Sequence, residues 1–505
     1  MIKKPALRGN YIPVALERYC MNGDAYVSVA DSYRICCGEK PGITYAAFQK
    51  DLTEQFRLGT VVREGGRLYL KRTLRYEVSA ANYLAGILSA NELELPLIPE
   101  KLTVGELILC EEQREAVCFA LSHRLSVILG GAGSGKTTLI RAIASQYGGE
   151  ASRVICAPTG KAARNLTERT GCVARTVHSA LGMQPNEDFL SPVIWENVGL
   201  VIVDEASMMT LEMLVGILCK MRKNCRVVLL GDPNQLLSVG SGNVLPDLLR
   251  LKVPHVRLVS NHRQEGGARG LLHNVVGFSE LNSVSDLAFD DSFMLVEMEE
   301  SLVRDALVEE AVKCYLAGES VQVLSPYNRV TELSVAKLNA AIQNLVNPAA
   351  EDKRELRCGG KVFREGDRVI ITKNDRERDC SNGDVGVFHI LELEEDILGY
   401  CVELPKGRCP AWHKEVGMKN LSLAYALTVH KVQGSETDTI LMPIADSFSN
   451  MLYRNLLYTA ISRGKKKVVI YGSRNALSVA LQTLAAERQS QLVAKTHMAM
   501  LRHVG

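Results

Sequence analysis

The chain contains 505 residues, of which 47% are hydrophobic and 23% are charged, with 40 glycines and 16 prolines. At roughly 150 residues per domain this length predicts three to four folded domains, and the composition excludes a collagenous, low-complexity or largely disordered protein. The 59 Lys and Arg residues nearly balance the 57 Asp and Glu residues, so the net charge of +2 provides no global attraction to nucleic acid or to membranes.

The cysteines and the start of the chain predict a cytoplasmic protein that does not associate with membranes. None of the 14 cysteines lies in a C-x-x-C pair or in a Cys/His cluster with zinc-ligand spacing, which favours reduced thiols. No apolar segment of a secretory signal follows the charged start. No run approaches the roughly 18 apolar residues that would span a bilayer.

Residues 1–100 are predicted to form a small N-terminal domain with a linker. Apolar residues recur at helical spacing from Ile43 to Leu58, and two short β-like segments flank the Gly65-Gly66 turn. A helix that leads into a two-stranded hairpin is typical of a winged-helix module. Such modules bind duplex DNA in some proteins and serve more often as protein-interaction spacers. The two prolines within 95–99 mark the linker.

After the linker, short apolar segments rich in β-branched residues alternate with helical stretches. The segments are 125–129, 153–157, 200–203, 226–230, 321–324 and 467–471. This alternation predicts an α/β fold, in which helices cover both faces of parallel sheets. Residues 363–404 differ, because three turn signals separate short β-like runs there. We interpret that segment as a small β-barrel inserted into an α/β domain.

A glycine-rich segment follows the first of these strands and opens a helical stretch. Residues 130–137 read GGAGSGKT and satisfy the phosphate-binding pattern G-x-x-x-x-G-K-[ST] in its strand-loop-helix context. The glycines let backbone N–H groups surround an anion, Lys136 reaches the outer phosphates, and Thr137 offers its hydroxyl to Mg²⁺. The predicted nucleotide-binding residues here are Gly131, Gly133, Ser134, Gly135, Lys136, Thr137 and Thr138.

The apolar segment 200–203 ends in Asp204 and Glu205, which supply the second metal ligand that a phosphate loop requires. Asp204 would hold Mg²⁺, and Glu205 would orient and polarise the attacking water; a strand end that merely meets solvent is the alternative. The implied chemistry is in-line attack of water on a γ-phosphate. ATP hydrolysis is therefore the function that the residues themselves predict best.

Further motifs extend this pattern in order along the chain. They are EQ at 112–113, PTGKAA at 158–163, RTVH at 175–178, GDPNQL at 231–236, NHRQ at 261–264, LSPYN at 324–328, FREGDRV at 363–369, LAYALTVHKVQGSE at 423–436 and LYTAISRGK at 457–465. Together they resemble the RecD-like DNA helicases of superfamily 1, over most of the chain. Leu237 stands where that family usually has Pro, which affects local stiffness, and Val432 stands where Ser is common, which removes one polar contact.

The resemblance assigns roles to individual residues. Gln113 would bond the adenine base and Gln235 would sense the γ-phosphate. Arg263 and Arg463 would approach the γ-phosphate from a second motor domain, with Arg463 as the arginine finger. The implied DNA contacts are Thr159, Lys161, His178, Thr428, His430 and Gln433. Gly434 and Glu436 would help to couple the grip on the strand to the nucleotide state.

The resemblance also implies the architecture: two RecA-like P-loop motor domains of AAA type, an inserted SH3-like barrel and the winged-helix-like unit. The predicted boundaries are 1–100 for the N-terminal domain and linker, 101–260 for the first motor domain, 261–355 and 419–505 for the two parts of the second motor domain and the C-terminal tail, and 356–418 for the barrel. Because the two halves of the ATP site lie on different motor domains, hydrolysis requires closure.

Unwinding requires an element that splits the duplex, and in RecD-like helicases this is a β-hairpin in the first motor domain. The short segment 182–197 is the candidate, with Phe189 as its tip, although a plain turn fits the composition equally well. We expect an ATP-dependent helicase that moves 5′ to 3′ and binds single-stranded DNA and its junctions with duplex. The alternatives are a single-strand translocase without autonomous unwinding, or a DNA-dependent ATPase subunit of a repair, mobile-element or defence complex, in which a nuclease or repair factor would be the partner.

Overall fold

The structure is a computed structural model. It describes residues 11–94, 98–147, 149, 152–183, 187–190, 195–260, 268–329, 331–351, 353–375, 377–393, 397–413 and 417–504. None of the helices in these ranges has the length and apolar content needed to cross a membrane.

The N-terminal domain combines three helices with a three-stranded antiparallel sheet of order β1-β3-β2. Its elements are α1 (Tyr11–Met21), β1 (Val27–Ser28), α2 (Val29–Glu39), α3 (Tyr45–Leu58), β2 (Val61–Glu64) and β3 (Arg67–Leu70). Thr44 begins α3 by accepting a hydrogen bond from Ala47, and Gly59 ends it in the left-handed conformation that favours glycine. The predicted helix and hairpin are present, and the assignment to the winged-helix class stays a prediction.

The first α/β domain is built on a six-stranded parallel sheet of order β11-β6-β10-β9-β7-β8. Four elements precede the sheet: α4 (Lys71–Leu88), β4 (Thr103–Val104), β5 (Leu107–Ile108) and α5 (Glu111–Leu121). The domain continues with β6 (Leu125–Leu129), α6 (Lys136–Ser145), β7 (Arg153–Ala157), α7 (Gly160–Thr170), β8 (Arg175–Thr176), α8 (Val177–Ala180), β9 (Leu200–Val203), α9 (Leu211–Lys220), β10 (Arg226–Gly231), α10 (Val244–Arg250) and β11 (His255–Arg257).

Helices cover both faces of this sheet, which explains why its central strands are predominantly apolar. Val127 of β6 packs with α4, α9 and α10, whereas the next residue, Ile128, packs with α5 and α6 on the opposite face. All five residues of β6 are buried. A strand buried on both faces is rich in apolar residues instead of alternating apolar and polar ones, and β6 follows this rule apart from the buried Ser126.

The second α/β domain has a five-stranded parallel sheet and is interrupted by the barrel. Its first part comprises α11 (Arg269–Val276), β12 (Phe293–Glu297), α12 (Glu300–Leu316), β13 (Val321–Ser325) and α13 (Val335–Val346). The barrel strands are β14 (Glu355–Cys358), β15 (Lys361–Arg364), β16 (Arg368–Ile371), β17 (Val385–Leu393), β18 (Ile397–Glu403), β19 (Ala411–His413) and β20 (Leu421–Leu423). Five of them form an antiparallel sheet of order β19-β18-β17-β16-β20, so its last strand lies beyond the predicted boundary at residue 418.

The second part of this α/β domain completes the sheet in the order β12-β23-β22-β13-β21. It comprises β21 (Ala426–Thr428), β22 (Thr437–Ile444), α14 (Arg454–Ile461), β23 (Gly464–Gly472) and α15 (Arg474–Gln482). The last helix, α16 (Leu492–Val504), leaves this domain and packs against α4. Leu492 joins the buried core of the first α/β domain, and the Gln491 N–H donates to Glu77 of α4 at 2.7 Å. The C-terminal tail therefore returns to the first α/β domain.

The predicted hairpin at 182–197 lies partly outside the described residues. Those that are described there, 182–183, 187–190 and 195–197, form no strand. Phe189 packs inward instead, with its ring 5.3 Å from that of His178 and 6.1 Å from that of Tyr76. Its position against Gly216 of α9 leaves no space for a Cβ on that glycine. Burial of the apolar ring outweighs exposure at a tip, so Phe189 is not placed as a wedge.

Candidate functional site

Most of the residues predicted for the first α/β domain meet at one edge of its sheet. Parallel strands end at the same edge, and open α/β sheets bind ligands there. Along the sheet, the phosphate loop follows β6, the 232–236 loop follows β10, Asp204 and Glu205 follow β9, and the PTGKAA segment follows β7. His178 follows the edge strand β8. Nucleotide residues therefore lie toward one side of this edge and predicted DNA residues toward the other.

The phosphate loop has the backbone that its glycines predict. Gly133 and Gly135 both have φ of 82°, a conformation that strains other residues. The Lys136 ammonium donates to the Gly130 and Gly131 carbonyls at 2.5 and 2.7 Å, and the Ser134 hydroxyl donates to the Gly131 carbonyl at 2.9 Å. Thr137 and Thr138 lie in the first turn of α6, as predicted. The lysine is thus held inside the loop that would surround a phosphate.

The carboxylates after β9 form a tight pair. Burial, together with the adjacent Glu205 carboxylate, raises the pKa of Asp204 to about 6, and the Lys136 ammonium opposes this rise. The Glu205 N–H donates to Asp204 Oδ1 at 2.9 Å. Glu205 has φ of 54°, which costs a non-glycine residue about 1–3 kcal/mol. Such strain at a strand end re-aims the Glu205 side chain relative to a regular strand.

These residues fit a nucleotide with Mg²⁺. The raised pKa of Asp204, which lies beside the Glu205 carboxylate, shows that its charge lacks a full counter-charge, and a divalent cation supplies one. Gln235 has a buried side-chain oxygen that accepts no hydrogen bond from the described residues, so it can bond a ligand or water at this edge. Thr137 and Asp204 have the hydroxyl and carboxylate oxygens that Mg²⁺ prefers.

The 232–236 loop is held by side chains of the second α/β domain. The Asn455 side-chain amide donates to the carbonyls of Asn234 and Gln235 at 3.0 and 3.2 Å. The Tyr458 hydroxyl donates to Asp232 Oδ2 at 2.5 Å, and Thr459 accepts from the Leu236 N–H at 2.8 Å. These three residues share one face of α14. The predicted residue Gln433 completes the set by donating to the Leu236 carbonyl at 3.0 Å.

Other predicted coupling residues contact α7 of the first α/β domain. Asn165 donates to the Gly434 carbonyl at 2.5 Å. Arg169 pairs with Glu436 at 2.8 Å, and the same Arg169 charge opposes the rise in the Asp204 pKa. Gly434 has φ of 72°, and a Cβ there would lie 3.2 Å from Ala162. This loop therefore connects the predicted metal site with the helix that begins at the predicted DNA contact.

Arg463, the predicted finger, lies on the second α/β domain and is only 5% exposed. Its guanidinium donates to the Thr459 and Ser435 carbonyls and to the Ser462 hydroxyl. Arg263 lies outside the described residues. Gln113 is buried, and its side-chain oxygen accepts from the Cys110 N–H at 3.3 Å, capping α5. Its role toward adenine stays a prediction.

Two of the predicted DNA contacts of the first α/β domain, Thr159 and Lys161, lie beside a loop of the barrel. Thr159 caps α7 by accepting from the Ala162 N–H at 3.2 Å. Lys161 is partly buried beside Gly383, and burial lowers its pKa to about 8, against the opposing Asp384 charge. Next to it, Arg164 pairs with Asp384 at 2.5 Å. The barrel loop that carries Gly383 and Asp384 therefore covers the start of α7.

Of the other predicted DNA residues, Thr428 and Gln433 are buried, His430 is half-buried and His178 is exposed. Burial lowers the pKa of His178 and of His430, so both imidazoles tend to stay neutral. Thr428 is only 5% exposed, at the end of β21. Sequence reasoning missed Arg164, Asp384, Asn455, Tyr458 and Thr459. The i, i+3, i+4 spacing of the last three was the one signal for a shared helix face.

Three family models match the chain. They are an AAA domain over residues 108–275, an ATP-dependent RecD-like DNA helicase SH3 domain over 338–399, and a UvrD-like helicase C-terminal domain over 423–471. The first covers most of the first α/β domain, the second covers part of the barrel, and the third covers most of the second part of the second α/β domain.

Individual proteins are also similar. The ATP-dependent RecD2 DNA helicase of Deinococcus radiodurans is 34% identical over 451 residues, which cover 85% of this chain and 58% of that protein. The RecBCD enzyme subunit RecD of Mycobacterium tuberculosis is 30% identical over 468 residues, which cover 82% of this chain and 77% of that protein. A Pif1 helicase solved in work on forked double-stranded DNA has a TM-score of 0.48 at 21% identity, over 76% of this chain and 95% of that one. The chain thus spans little more than half of the Deinococcus protein, and it belongs to the RecD-like family of superfamily 1 DNA helicases.

Proposed function

We propose that this chain is an ATP-dependent DNA helicase that moves 5′ to 3′ on single-stranded DNA and opens duplex at junctions. The observation that carries the proposal is the 232–236 loop, which lies beside the predicted hydrolysis residues and is held by the second α/β domain. A change at the nucleotide thereby reaches the contact between the two domains. The Deinococcus relative is named an ATP-dependent DNA helicase, and the direction rests on the family.

The first α/β domain supplies most of the hydrolysis chemistry. Thr137 and Asp204 would hold Mg²⁺, which when bound neutralises charge on the phosphates. Lys136 would leave the loop carbonyls and bond the outer phosphates. Glu205 would orient the attacking water and take its proton, and Gln235 would bond the same region through its buried oxygen.

The second α/β domain supplies the positive charge that completes the site. Arg463 is held by three hydrogen bonds in its own domain, and Arg263 would join it. Arginines that approach the γ-phosphate stabilise the charge of the transition state and accelerate phosphoryl transfer about 10³–10⁵-fold. Because Arg463 lies on the domain opposite to Lys136, efficient hydrolysis requires the domains to close.

Strand movement follows from the position of the two grips. Thr159, Lys161 and His178 belong to the first α/β domain, whereas Thr428 and His430 belong to the second. Closure shortens the distance between these grips, and reopening after hydrolysis with the opposite grip released advances the protein along the strand. Contacts to the phosphate backbone carry no sequence preference and weaken with salt.

Strand displacement on two partial duplexes, one with a 5′ tail and one with a 3′ tail, tests this proposal. We expect displacement from the 5′ tail alone, in the presence of ATP and Mg²⁺, and its loss in Glu205→Gln. Glu309→Gln is the matched control, because Glu309 pairs with Lys313 on the surface of α12, away from the site. Displacement that survives in Glu205→Gln would contradict the assignment of the hydrolysis site.

A second function is a single-strand translocase that does not unwind on its own. The inward packing of Phe189 favours it, since this side chain cannot then split base pairs. The Mycobacterium relative is named a subunit of a larger enzyme, and a nuclease or repair factor would be the partner here. ATP hydrolysis stimulated by single-stranded DNA, without displacement from either tail, would support this function.

A further inference from the structure

The Tyr458 hydroxyl lies between two loops of the opposite domain. It donates to Asp232 Oδ2 at 2.5 Å and accepts a hydrogen bond from the Ala132 N–H of the phosphate loop. We propose that Tyr458 is a positioning residue that ties the phosphate loop to the 232–236 loop and thereby sets the rate of ATP hydrolysis. This inference rests on the function proposed above and assigns to Tyr458 a role distinct from that of the arginines.

The space around the hydroxyl shows that the tie is closely fitted. A Cβ on Gly131 would lie 3.2 Å from the Tyr458 oxygen and 3.9 Å from Asp232 Oδ2. The Tyr458 side chain is 1% exposed, and its ring lies 4.9 Å from that of Phe278 in its own domain. The ring is therefore anchored in the second α/β domain, and only the hydroxyl crosses to the first.

Asp232 extends the tie to the residue that would sense the nucleotide. Its second oxygen, Oδ1, accepts from the Asn234 N–H at 3.0 Å, and the Gln235 N–H donates to the Asp232 carbonyl at 3.1 Å. The two carboxylate oxygens thus have separate tasks: one shapes the turn that carries Gln235, and the other receives Tyr458. A continuous series of hydrogen bonds runs from the phosphate loop through Tyr458 to the Gln235 turn.

The protonation of the tyrosine keeps this series intact. Burial and the Asp232 carboxylate raise the pKa of Tyr458 well above its ordinary value. The hydroxyl consequently remains a neutral donor toward Asp232 throughout the working pH range, and hydrogen bonds between a neutral donor and a carboxylate are among the stronger ones. The tie therefore depends on the distance between the domains and not on proton exchange.

Domain movement acts on both bonds together. Ala132 and Asp232 belong to the first α/β domain, and the hydroxyl that joins them belongs to the second. Separation of the domains withdraws one oxygen atom from a loop N–H and from a carboxylate at the same time. The phosphate loop and the Gln235 turn then lose the hydroxyl that they both bond. The position of the second domain therefore affects both loops at once.

The test compares ATP hydrolysis stimulated by single-stranded DNA in wild type, Tyr458→Phe, Asp232→Asn and the double variant. Loss of a hydrogen bond to a charged group predicts about a tenfold fall in kcat for each single variant. The KM for ATP should change less than about twofold, because the hydroxyl bonds the two loops and not the nucleotide. The kcat of the double variant should fall by no more than about tenfold relative to wild type, since both changes remove the bond between Tyr458 and Asp232.

Tyr315→Phe is the matched control. Its hydroxyl donates to the Tyr425 carbonyl at 2.7 Å within the second α/β domain, so it also loses one tyrosine hydrogen bond. Tyr315→Phe should lower thermal stability and leave kcat unchanged, whereas Tyr458→Phe should lower kcat. Hydrogen exchange gives an independent readout: the peptides that contain Ala132 and Asp232 should exchange faster in Tyr458→Phe and unchanged in Tyr315→Phe.

A kcat for Tyr458→Phe within about twofold of wild type, or single effects that multiply in the double variant, would overturn the inference. If the wild type itself does not hydrolyse ATP with single-stranded DNA, the proposed function fails. Hydrogen exchange in Tyr458→Phe then tests the connection between the two loops separately. Unaltered exchange of the Ala132 and Asp232 peptides refutes it, and faster exchange of both peptides supports it.

Discussion

The barrel contact over α7 predicts that Arg164→Ala strengthens the binding of single-stranded DNA. Arg164 pairs with Asp384 of the barrel and donates to the Asp379 carbonyl and the Ser381 hydroxyl at 3.3 and 3.4 Å. The barrel loop lies so close to the start of α7 that a Cβ on Gly160 would be 2.6 Å from Ser381 Oγ. A strand that binds Thr159 and Lys161 must displace this loop.

The size of the expected gain in DNA affinity follows from the burial of the Arg164–Asp384 ion pair. The Asp384 side chain is 7% exposed and that of Arg164 is 21% exposed, and breaking a buried ion pair costs about 3–5 kcal/mol. In Arg164→Ala, Asp384 still accepts a hydrogen bond from the Ser381 N–H at 2.8 Å, and Arg164 is partly exposed in the wild type. Both facts reduce the cost of breaking this ion pair to about 2 kcal/mol. The neighbouring Lys406–Glu168 pair is exposed and contributes at most about 1 kcal/mol. The conformation in which the barrel loop covers the start of α7 is therefore destabilised by about 2 kcal/mol, which allows up to a thirtyfold gain in affinity for single-stranded DNA.

Fluorescence anisotropy of a labelled oligothymidine, without nucleotide, measures this affinity. Removing a positive charge on its own weakens DNA binding, so a gain in affinity can come only from release of the barrel loop. Arg304→Ala serves as the control, because Arg304 pairs with Asp305 and Glu332 on the surface of the second α/β domain. Equal or weaker binding by Arg164→Ala would refute the argument that the barrel competes with DNA.

Three further predictions concern the hydrolysis site and the strand grip. Lys136→Ala should lower ATP turnover at least about a hundredfold and retain DNA binding, and near-normal turnover would contradict the phosphate-loop assignment. Arg463→Lys should still bind a fluorescent ATP analogue but lose hydrolysis, since an ammonium cannot replace the guanidinium geometry; normal hydrolysis in a turnover assay would remove its finger role. Lys161, with a pKa of about 8, is charged below that pH and neutral above it, so DNA affinity should fall from about pH 7 to about pH 9. Lys161→Arg should show no such fall in the same anisotropy titration, and a parallel fall would exclude titration of Lys161 as its cause.

The elements that the sequence predicts well are those specified by local pattern. The strands at 125–129 and 200–203 are recognisable because burial on both faces favours predominantly apolar residues. The phosphate loop is recognisable because its glycines adopt φ values that other residues avoid. In such cases the physical requirement and the sequence signal lie within a few residues of each other.

The contacts between domains escape local pattern because their partners are far apart in sequence. Tyr458 bonds Asp232 across 226 positions, and Arg164 bonds Asp384 across 220. A Tyr or an Arg on a helix reads as an ordinary amphipathic residue until the fold supplies its partner. The position of Phe189 is a related case, since the sequence of 182–190 does not reveal that this ring packs against Gly216.

The path of the chain restricts how the two α/β domains can move. It passes from the first to the second between Ser260 and Ala268, and it returns after α15 to pack α16 on α4. At the return, the half-buried Arg488 guanidinium donates to the Ser238 hydroxyl and to the Gly242 carbonyl, both at 3.0 Å. Because the return is anchored in the first domain, sliding the domains apart would strain the segment between α15 and α16. Rotation about that segment leaves its anchor intact, so the cycle of closing and opening is expected to be a hinge.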